Sequence, residues 1–325
     1  MLGASVAYHL ARRGCRDIVV LDRAPDFGGG STARATGGFR AQFDNETEVR
    51  LSLLSREKLR AFEEETGVDS GYRPYGYLFV ARNDAELAAL RDAQTVQHAC
   101  GLSEARLVTA DEARALNPAI ADASIAGGAF CPTDGFLRPM NVLRGYAQAA
   151  QRLGVRFEFG VEARDVQAGI TVNAKGAWAG APVVPLRRNV AATIATDLLP
   201  ESMPMTIWAG DWYHLRVRDG RVLLLWPDDP PVEDWLPRVQ ELTRERVPSV
   251  AHLPIEECWS GFYEMTPDGR ALLGRVADDA YIAAGCCGHG VMHAPALGQL
   301  LAELIVDGTT SLDIRPLDPN RFGVR

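Results

Sequence analysis

The stretch that decides the fold is AAGCCGHGVM, residues 283–292. The short apolar run 281–284 predicts a strand, and a helical pattern runs from about 291 to 306 after the intervening glycines. A helix that begins directly after a strand directs its unpaired N–H groups into the loop between them. Such donors suit a group that gains negative charge during a reaction. We therefore predict a ligand site at this loop.

The N-terminal segment offers a second candidate ligand site at a helix start. Residues 2–14 predict a short helix closed by Gly14, and the apolar run 18–21 predicts a buried parallel strand that ends at Asp22. Gly3 opens the helix, where N–H groups can hold phosphate, and a carboxylate placed like Asp22 can bind ribose hydroxyls. Only one glycine of the GxGxxG fingerprint is present, so an ordinary buried unit of strand and helix is the alternative.

The loop 28–40 is the third candidate site. It combines glycines with Ser31, Thr32, Arg34 and Arg40. These residues supply backbone and side-chain donors for phosphates and for a polar ring edge. A flexible surface loop is the alternative, although such a loop rarely needs so many glycines and hydroxyls beside two arginines.

Periodicity divides the rest of the chain into α/β ends and a β-rich middle. Helical patterns cover 46–65, with Asn45 as its cap, and also 84–99, 138–153 and 232–247. Strand patterns cover 77–81, 155–159, 161–166, 183–194, 205–208, 212–217, 221–226 and 255–263. We predict an α/β (α+β) fold in which the two ends form one domain and the antiparallel middle forms a lobe over it.

Composition narrows the class of function. The 325 residues are 47% hydrophobic and 23% charged, which is typical of a globular protein with a substantial core. The net charge of −8 argues against nucleic acid as the main partner. The six cysteines form no zinc or disulfide pattern, so we expect reduced thiols and no metal site. We see no signal peptide and no apolar run long enough for a membrane span, and expect a cytoplasmic protein.

Five stretches together resemble one known family. They are 2–11, 30–43, 172–179, 263–270 and 285–295. The sequence resembles the FAD-dependent amine and amino-acid oxidoreductases of the D-amino-acid oxidase superfamily. It is most similar to the branch of the sarcosine oxidase β subunit, dimethylglycine dehydrogenase and L-proline dehydrogenase. Because the chain starts at the third glycine of the family's fingerprint, we expect a form that is truncated at its N-terminus.

The resemblance implies FAD as the cofactor, in a Rossmann-like FAD-binding domain with a β-rich antiparallel substrate lobe. It implies the boundaries 1–75, 138–180 and 264–325 for the FAD-binding domain, and 76–137 and 181–263 for the substrate domain. The residues it implies for FAD binding are Gly3, Asp22, Arg23, Gly30, Ser31, Thr32, Gly37, Gly38, Ala163, Gly176, Trp178, Gly285, Gly288, Gly290, Val291 and Met292.

The resemblance also implies a reaction. Arg40 would hold the carboxylate of a small N-methylated or secondary amino acid, whose C–N bond is oxidised by hydride transfer to flavin N5. The imine then hydrolyses, and electrons pass to oxygen or a carrier. Tyr213, His214, Tyr263 and His289 are further catalytic candidates. Aromatic packing in the lobe, or helix capping for His289, is the ordinary alternative.

Two other functions stay open at this point. The chain can be a cofactor-deficient remnant, or a subunit that depends on assembly, because the fingerprint is incomplete. An NAD-linked dehydrogenase uses the same fingerprint but leaves 285–295 unexplained. Assembly with a second copy or with a partner chain is compatible with either reading.

Overall fold

The computed structural model describes residues 1–121, 123–163, 168–227 and 231–323. The α-helices of the described chain are α1 (Leu2–Arg12), α2 (Glu46–Arg60), α3 (Phe62–Thr66), α4 (Asp84–Ala99), α5 (Ala110–Leu116), α6 (Pro139–Arg152), α7 (Val232–Arg246) and α8 (Gly290–Asp307). The strands are β1 (Val19–Asp22), β2 (Gly38–Phe39), β3 (Tyr77–Ala81), β4 (Arg106–Val108), β5 (Gly127–Cys131), β6 (Gly135–Phe136), β7 (Arg156–Phe159), β8 (Thr171–Asn173), β9 (Val184–Ala195), β10 (Met205–Trp208), β11 (His214–Arg218), β12 (Arg221–Leu225), β13 (Ile255–Met265), β14 (Leu272–Ala277) and β15 (Ala280–Ala284).

The α/β part contains elements from both ends of the chain. β1 pairs in parallel with β7, and β8 pairs in parallel with β15, which continues antiparallel into β14. α1 lies against α8 and α6, and α2 also packs on α8. The predicted meeting of the two ends is therefore observed, although the boundaries of the two domains stay a prediction.

The middle of the chain forms the β-rich lobe. Its sheet has the order β13-β9-β12-β11-β10-β3-β5-β4, and every neighbouring pair is antiparallel except β10 with β3. Its core contains Trp208, Leu224 and Trp235, and the last of these places α7 on the sheet. The predicted fold class, α/β with an antiparallel lobe, is confirmed.

Several local expectations were wrong. The strand at 18–21 was expected to be buried, but Val19 is 37% exposed, because β7 is its sole sheet neighbour in the described chain. The helix predicted at 46–65 breaks at Ala61 into α2 and α3. Residues 161–163 are not in a strand, and the rest of the strand predicted at 161–166 lies outside the described residues.

The cap expected for α2 is present. Asn45 caps α2, since its side-chain oxygen accepts a hydrogen bond from the Glu48 amide at 3.0 Å. All six cysteines are free thiols. Across the described ranges we find no helix with the length and apolar character that a membrane crossing needs.

The crossing of α1 and α8 depends on a glycine. Ser5 Oγ donates to the Ala294 carbonyl at 2.7 Å, and a Cβ on Gly298 would overlap the Ser5 side chain. The two helices therefore approach more closely than larger side chains permit.

We expect Gly298→Ala to destabilise the fold although alanine favours helix. Helix propensity would contribute roughly 1 kcal/mol of stability, and overpacking costs about 1–3 kcal/mol. Urea unfolding should give a net loss of up to about 2 kcal/mol. Gly169→Ala is the control, because a Cβ there meets no atom within 4 Å. A Gly298→Ala protein that is more stable than wild type would contradict the close packing.

Candidate active site

Arg40 is positioned by a loop in which two positions leave no room for a side chain. β2, just before Arg40, pairs with β6. A Cβ on Gly37 would overlap the carbonyl oxygen of Leu137, and one on Gly38 would overlap the hydroxyl of Tyr77. Glycine at both positions therefore lets the loop lie directly on β3 and its neighbours.

A buried carboxylate anchors the residues after Arg40. Asp134 accepts hydrogen bonds from the Ala41 amide at 2.7 Å and from Gln42 Nε2 at 3.2 Å. Burial raises the pKa of Asp134 to about 6, although these donors favour its ionised form. The loop backbone is thus fixed on both sides of Arg40.

The lobe contributes a second anchor, Arg216 of β11. Its Nη1 donates to the Thr36 carbonyl at 2.7 Å, and its guanidinium lies 3.6 Å from the ring centroid of Phe136. Burial lowers the pKa of Arg216 to about 9.

The Arg40 guanidinium lies at the centre of the site. Nη1 donates to the Gln42 carbonyl, Nη2 lies 3.3 Å from His289 Nε2, and the group stacks 3.7 Å from the Phe43 ring centroid. Burial lowers the pKa of Arg40. No carboxylate of the described residues lies within ion-pair distance of this half-buried cation, while Asp134, Glu48 and Asp44 raise its pKa from further away.

The turn before α8 places His289 beside Arg40 and packs on Tyr263 of β13. A Cβ on Gly288, which has φ +88°, would overlap the Tyr263 ring. Burial raises the pKa of Tyr263, partly offset by the Arg188 and Arg40 cations. Burial, and then Arg40, hold the pKa of His289 well below its usual range.

His214 belongs to the same neighbourhood, whereas Tyr213 does not. The backbone carbonyl of Trp212 lies 2.7 Å from His214 Nδ1, so Nδ1 carries the hydrogen and Nε2 is an acceptor. Burial lowers the pKa of His214 to about 4, and Arg40 adds to the shift. Tyr213 lies in the lobe core, where its hydroxyl is 2.8 Å from Thr243 Oγ1.

Behind His289 lies a second row of polar groups. Glu48 Oε2 is 3.8 Å from His289 Nδ1 and 3.3 Å from His293 Nδ1. His293 Nε2 is 2.8 Å from Ser52 Oγ. Burial raises the pKa of Glu48 to about 7, and burial lowers the pKa of His293 to about 3.

Glu48, His289 and His293 also have the ligand types of a metal site. Their three ligand atoms lie within 4.8 Å of one another. The Arg40 guanidinium beside His289 opposes a divalent cation at the same place. We assign no metal to this cluster.

The predicted cofactor residues near the N-terminus surround the start of α1. A Cβ on Gly3 would lie 3.7 Å from Val20 of β1 and from Ala174, which follows β8. The first turn of α1 has no acidic side chain. Asp22 ends β1 and accepts from the Ala24 amide at 2.9 Å.

Two short 3₁₀ segments approach β13. In Ser31–Arg34, Ser31 Oγ donates to the Phe262 carbonyl at 2.9 Å. In Gly176–Trp178, the Trp178 ring lies 5.7 Å from the Phe262 ring, is 51% exposed, and has the Arg23 guanidinium 5.0 Å away. These segments carry the candidates Gly30, Ser31, Thr32, Gly176 and Trp178. Ala163 is exposed beyond β7.

The third cofactor segment starts α8. The Gly285 amide donates to Glu264 Oε2 at 2.8 Å, and burial raises the pKa of Glu264. The first turn, with Gly290, Val291 and Met292, has no acidic side chain. Both helices whose starts were predicted to bind an anion are present in the fold, and anion binding there stays a prediction.

Comparison with known proteins decides the family. Residues 1–304 match the family model DAO, described as FAD dependent oxidoreductase. The chain belongs to this family. The resemblance inferred from the sequence is thereby confirmed.

Three similar proteins illustrate the family. FAD-dependent oxidoreductase domain-containing protein 1 of Xenopus laevis is 24% identical over 95% of this chain and 78% of its own length. Mitochondrial dimethylglycine dehydrogenase of Rattus norvegicus is 25% identical over 99% of this chain, which spans 44% of that relative. The crystal structure of L-proline dehydrogenase from P. horikoshii superposes with a TM-score of 0.91 at 28% identity, covering 99% of this chain and 95% of that one.

The residues present fit the family's cofactor, FAD. The first turn of α1 offers N–H groups that have no partner within a helix, and no side chain of the described residues caps them. Asp22 supplies a carboxylate at the end of the adjacent strand.

Sequence reasoning missed Glu48, Asp134 and Arg216. Glu48 follows the cap of α2, where an acidic residue is ordinary, so its burial gave no signal. Asp134 and Arg216 lie far along the chain from the loop that they hold. The closeness of Glu48 to His289, and of Asp134 and Arg216 to the Arg40 loop, is visible only in the three-dimensional structure.

We expect Asp134→Ala to destabilise the protein by about 2–4 kcal/mol, because buried N–H donors of the Arg40 loop lose their acceptor. Urea unfolding measures this loss. Asp278→Ala, at a fully exposed side chain, is the control and should leave the transition unchanged. Equal stability of the two variants would mean that Asp134 does not anchor the loop.

Proposed function

We propose that this chain oxidises the C–N bond of a small N-methylated or secondary amino acid, with the substrate carboxylate held by Arg40. The observation that carries the proposal is the half-buried Arg40 guanidinium, which forms no ion pair with any described carboxylate. Taking a cation out of water without a direct ion-pair partner is costly, so an anionic ligand is the natural complement. A planar guanidinium binds a carboxylate through two hydrogen bonds.

The relatives support this substrate class. They include dimethylglycine dehydrogenase and L-proline dehydrogenase, which are named for an N-methylated and a secondary amino acid. Both kinds of substrate carry a carboxylate next to the C–N bond. A single arginine can therefore hold either kind in the same orientation.

FAD, when bound, supplies the acceptor for the hydride that leaves the carbon next to nitrogen. The chain's own residues orient the substrate and exclude water. Arg40 binds the carboxylate, and Tyr263 and His289 line the approach to it. His214 offers a neutral Nε2 acceptor, which suits a substrate amine that donates a hydrogen bond.

The neutral substrate amine loses a hydride, which is two electrons and one proton, and becomes an iminium ion. Water then hydrolyses the iminium ion to an amine and a carbonyl group, and one proton is released. The two electrons pass on to oxygen or to an electron carrier.

Protein purified with excess FAD and then desalted should keep the visible absorption of flavin. Under anaerobic conditions, sarcosine, dimethylglycine, proline or a D-amino acid should bleach it. Dimethylamine is the control, because it has the C–N bond but no carboxylate for Arg40. Retained flavin that none of the amino acids bleaches would refute the substrate class. A colourless protein would favour a remnant that lacks its cofactor.

Replacing Arg40 separates substrate binding from cofactor binding. Arg40→Met should keep the flavin absorption but lower kcat/KM for the bleaching amino acid roughly 100-fold or more, because charge-assisted hydrogen bonds are lost. Arg50→Met is the matched control, since Arg50 pairs with Glu46 on the exposed face of α2. A change of less than about threefold in Arg40→Met would remove Arg40 from the substrate site.

A further inference from the structure

Glu48 is buried directly behind the residue that contacts Arg40. Its side chain is 6% exposed, and its Oε2 atom has no hydrogen-bond partner among the described residues. Two imidazole nitrogens lie close to this oxygen, Nδ1 of His293 at 3.3 Å and Nδ1 of His289 at 3.8 Å. A buried carboxyl oxygen without a hydrogen bond is unusual in a folded protein and calls for a reason.

The direction of the hydrogen bonds around it follows from Arg40. A guanidinium only donates, so His289 Nε2, 3.3 Å from Arg40 Nη2, is the acceptor. The ring is neutral, and its hydrogen is on Nδ1, on the side of Glu48. His289 therefore lies between the guanidinium and the Glu48 carboxyl, and the 3.8 Å from its Nδ1 to Glu48 Oε2 is too long for a hydrogen bond.

The charged and titratable groups around Glu48 come from four segments of the described chain. His289 and His293 face it from the start of α8, and burial keeps both rings neutral. Arg40 and Asp44 act on it from the loop, and Asp268 and Arg270 from the turn after β13. The Cys286 and Cys287 thiols lie in the turn before α8, and burial raises the pKa of both. Arg40 is the largest of these influences, and it favours ionised Glu48 against the larger effect of burial.

Two anions would therefore depend on one cation. An ionised Glu48 interacts with Arg40 from behind, and the proposed substrate carboxylate would bind Arg40 from the front. Each negative charge disfavours the other, because both lie at a buried site where Coulomb interactions are weakly screened. A proton on Glu48 removes this conflict.

We infer that Glu48 takes up a proton when a carboxylate binds to Arg40, and that it is the positioning residue that couples protons to substrate binding. This inference rests on the proposed function of Arg40. The binding step is balanced: one carboxylate and one proton enter together, and the net charge of the site is unchanged. By linkage, binding of the carboxylate must weaken as the proton becomes scarce.

The pH range follows from the position of the Glu48 equilibrium. Because burial raises its pKa to about 7, the free protein is partly ionised at neutral pH and can accept a proton. Well below about pH 6, Glu48 already carries the proton and no uptake should occur. Above about pH 7, carboxylate affinity should fall by about tenfold per pH unit.

Calorimetric titration of the FAD-loaded protein tests the inference without turnover. The probe is methoxyacetate, which has the carboxylate but an ether oxygen in place of the amine. Its binding enthalpy at about pH 7.5, compared between phosphate and Tris buffers, gives the number of protons taken up. We expect about one-half to one proton for wild type and none for Glu48→Gln, whose affinity should not change with pH. Glu46→Gln, an exposed residue of the same helix, should match wild type.

The outcomes separate the two proposals. No binding of methoxyacetate to wild type would overturn the proposed function, and this inference with it. Binding without proton uptake, or uptake that persists in Glu48→Gln, would overturn the inference alone. If Glu48→Gln does not fold, infrared difference spectra of wild type decide the matter, because binding should then create the carbonyl band of a protonated carboxylic acid. Absence of that band would refute the inference.

Discussion

The contact on which the rest of the structure depends is the crossing of α1 and α8. Ser5 and Ala294, joined by a hydrogen bond, are 289 residues apart in the chain. Because Gly298 permits close approach, the two helices contact each other near their starts. The predicted phosphate end and the predicted ring end of the cofactor site each begin at one of these helices. Their relative position is thus set by helix packing and not by the loops.

Much of the fold could be predicted because local patterns in the sequence indicate many of its helices and strands. The strand Tyr77–Ala81 and the helix Asp84–Ala99 have the predicted bounds, since an apolar run and a capped amphipathic pattern are unambiguous there. Glycine-rich stretches likewise marked the loops that carry Arg40 and His289. The break at Ala61 was missed, because a helix end without glycine or proline has little local signal.

The candidate site was only partly predictable. Arg40, His214, Tyr263 and His289 converge, while Tyr213 turns into the lobe core although it adjoins His214 in the chain. Adjacent side chains of an extended segment point to opposite faces of a sheet. No local feature of the sequence indicated which face lines the site. Glu48 and Asp134 were missed for a related reason, since their importance comes from contacts made between distant segments.

Arg216 connects the loop of Arg40 to the lobe. From β11 of the large sheet, its guanidinium donates a hydrogen bond to the backbone of the loop at Thr36. The same guanidinium stacks on Phe136 of β6, the strand that pairs with the loop. Any tilt of the sheet relative to the helices must carry this loop with it. A movement of the lobe would therefore also change the alignment of a carboxylate bound to Arg40. Crowding or a neighbouring chain that displaces the lobe would then change catalysis without any contact with the site.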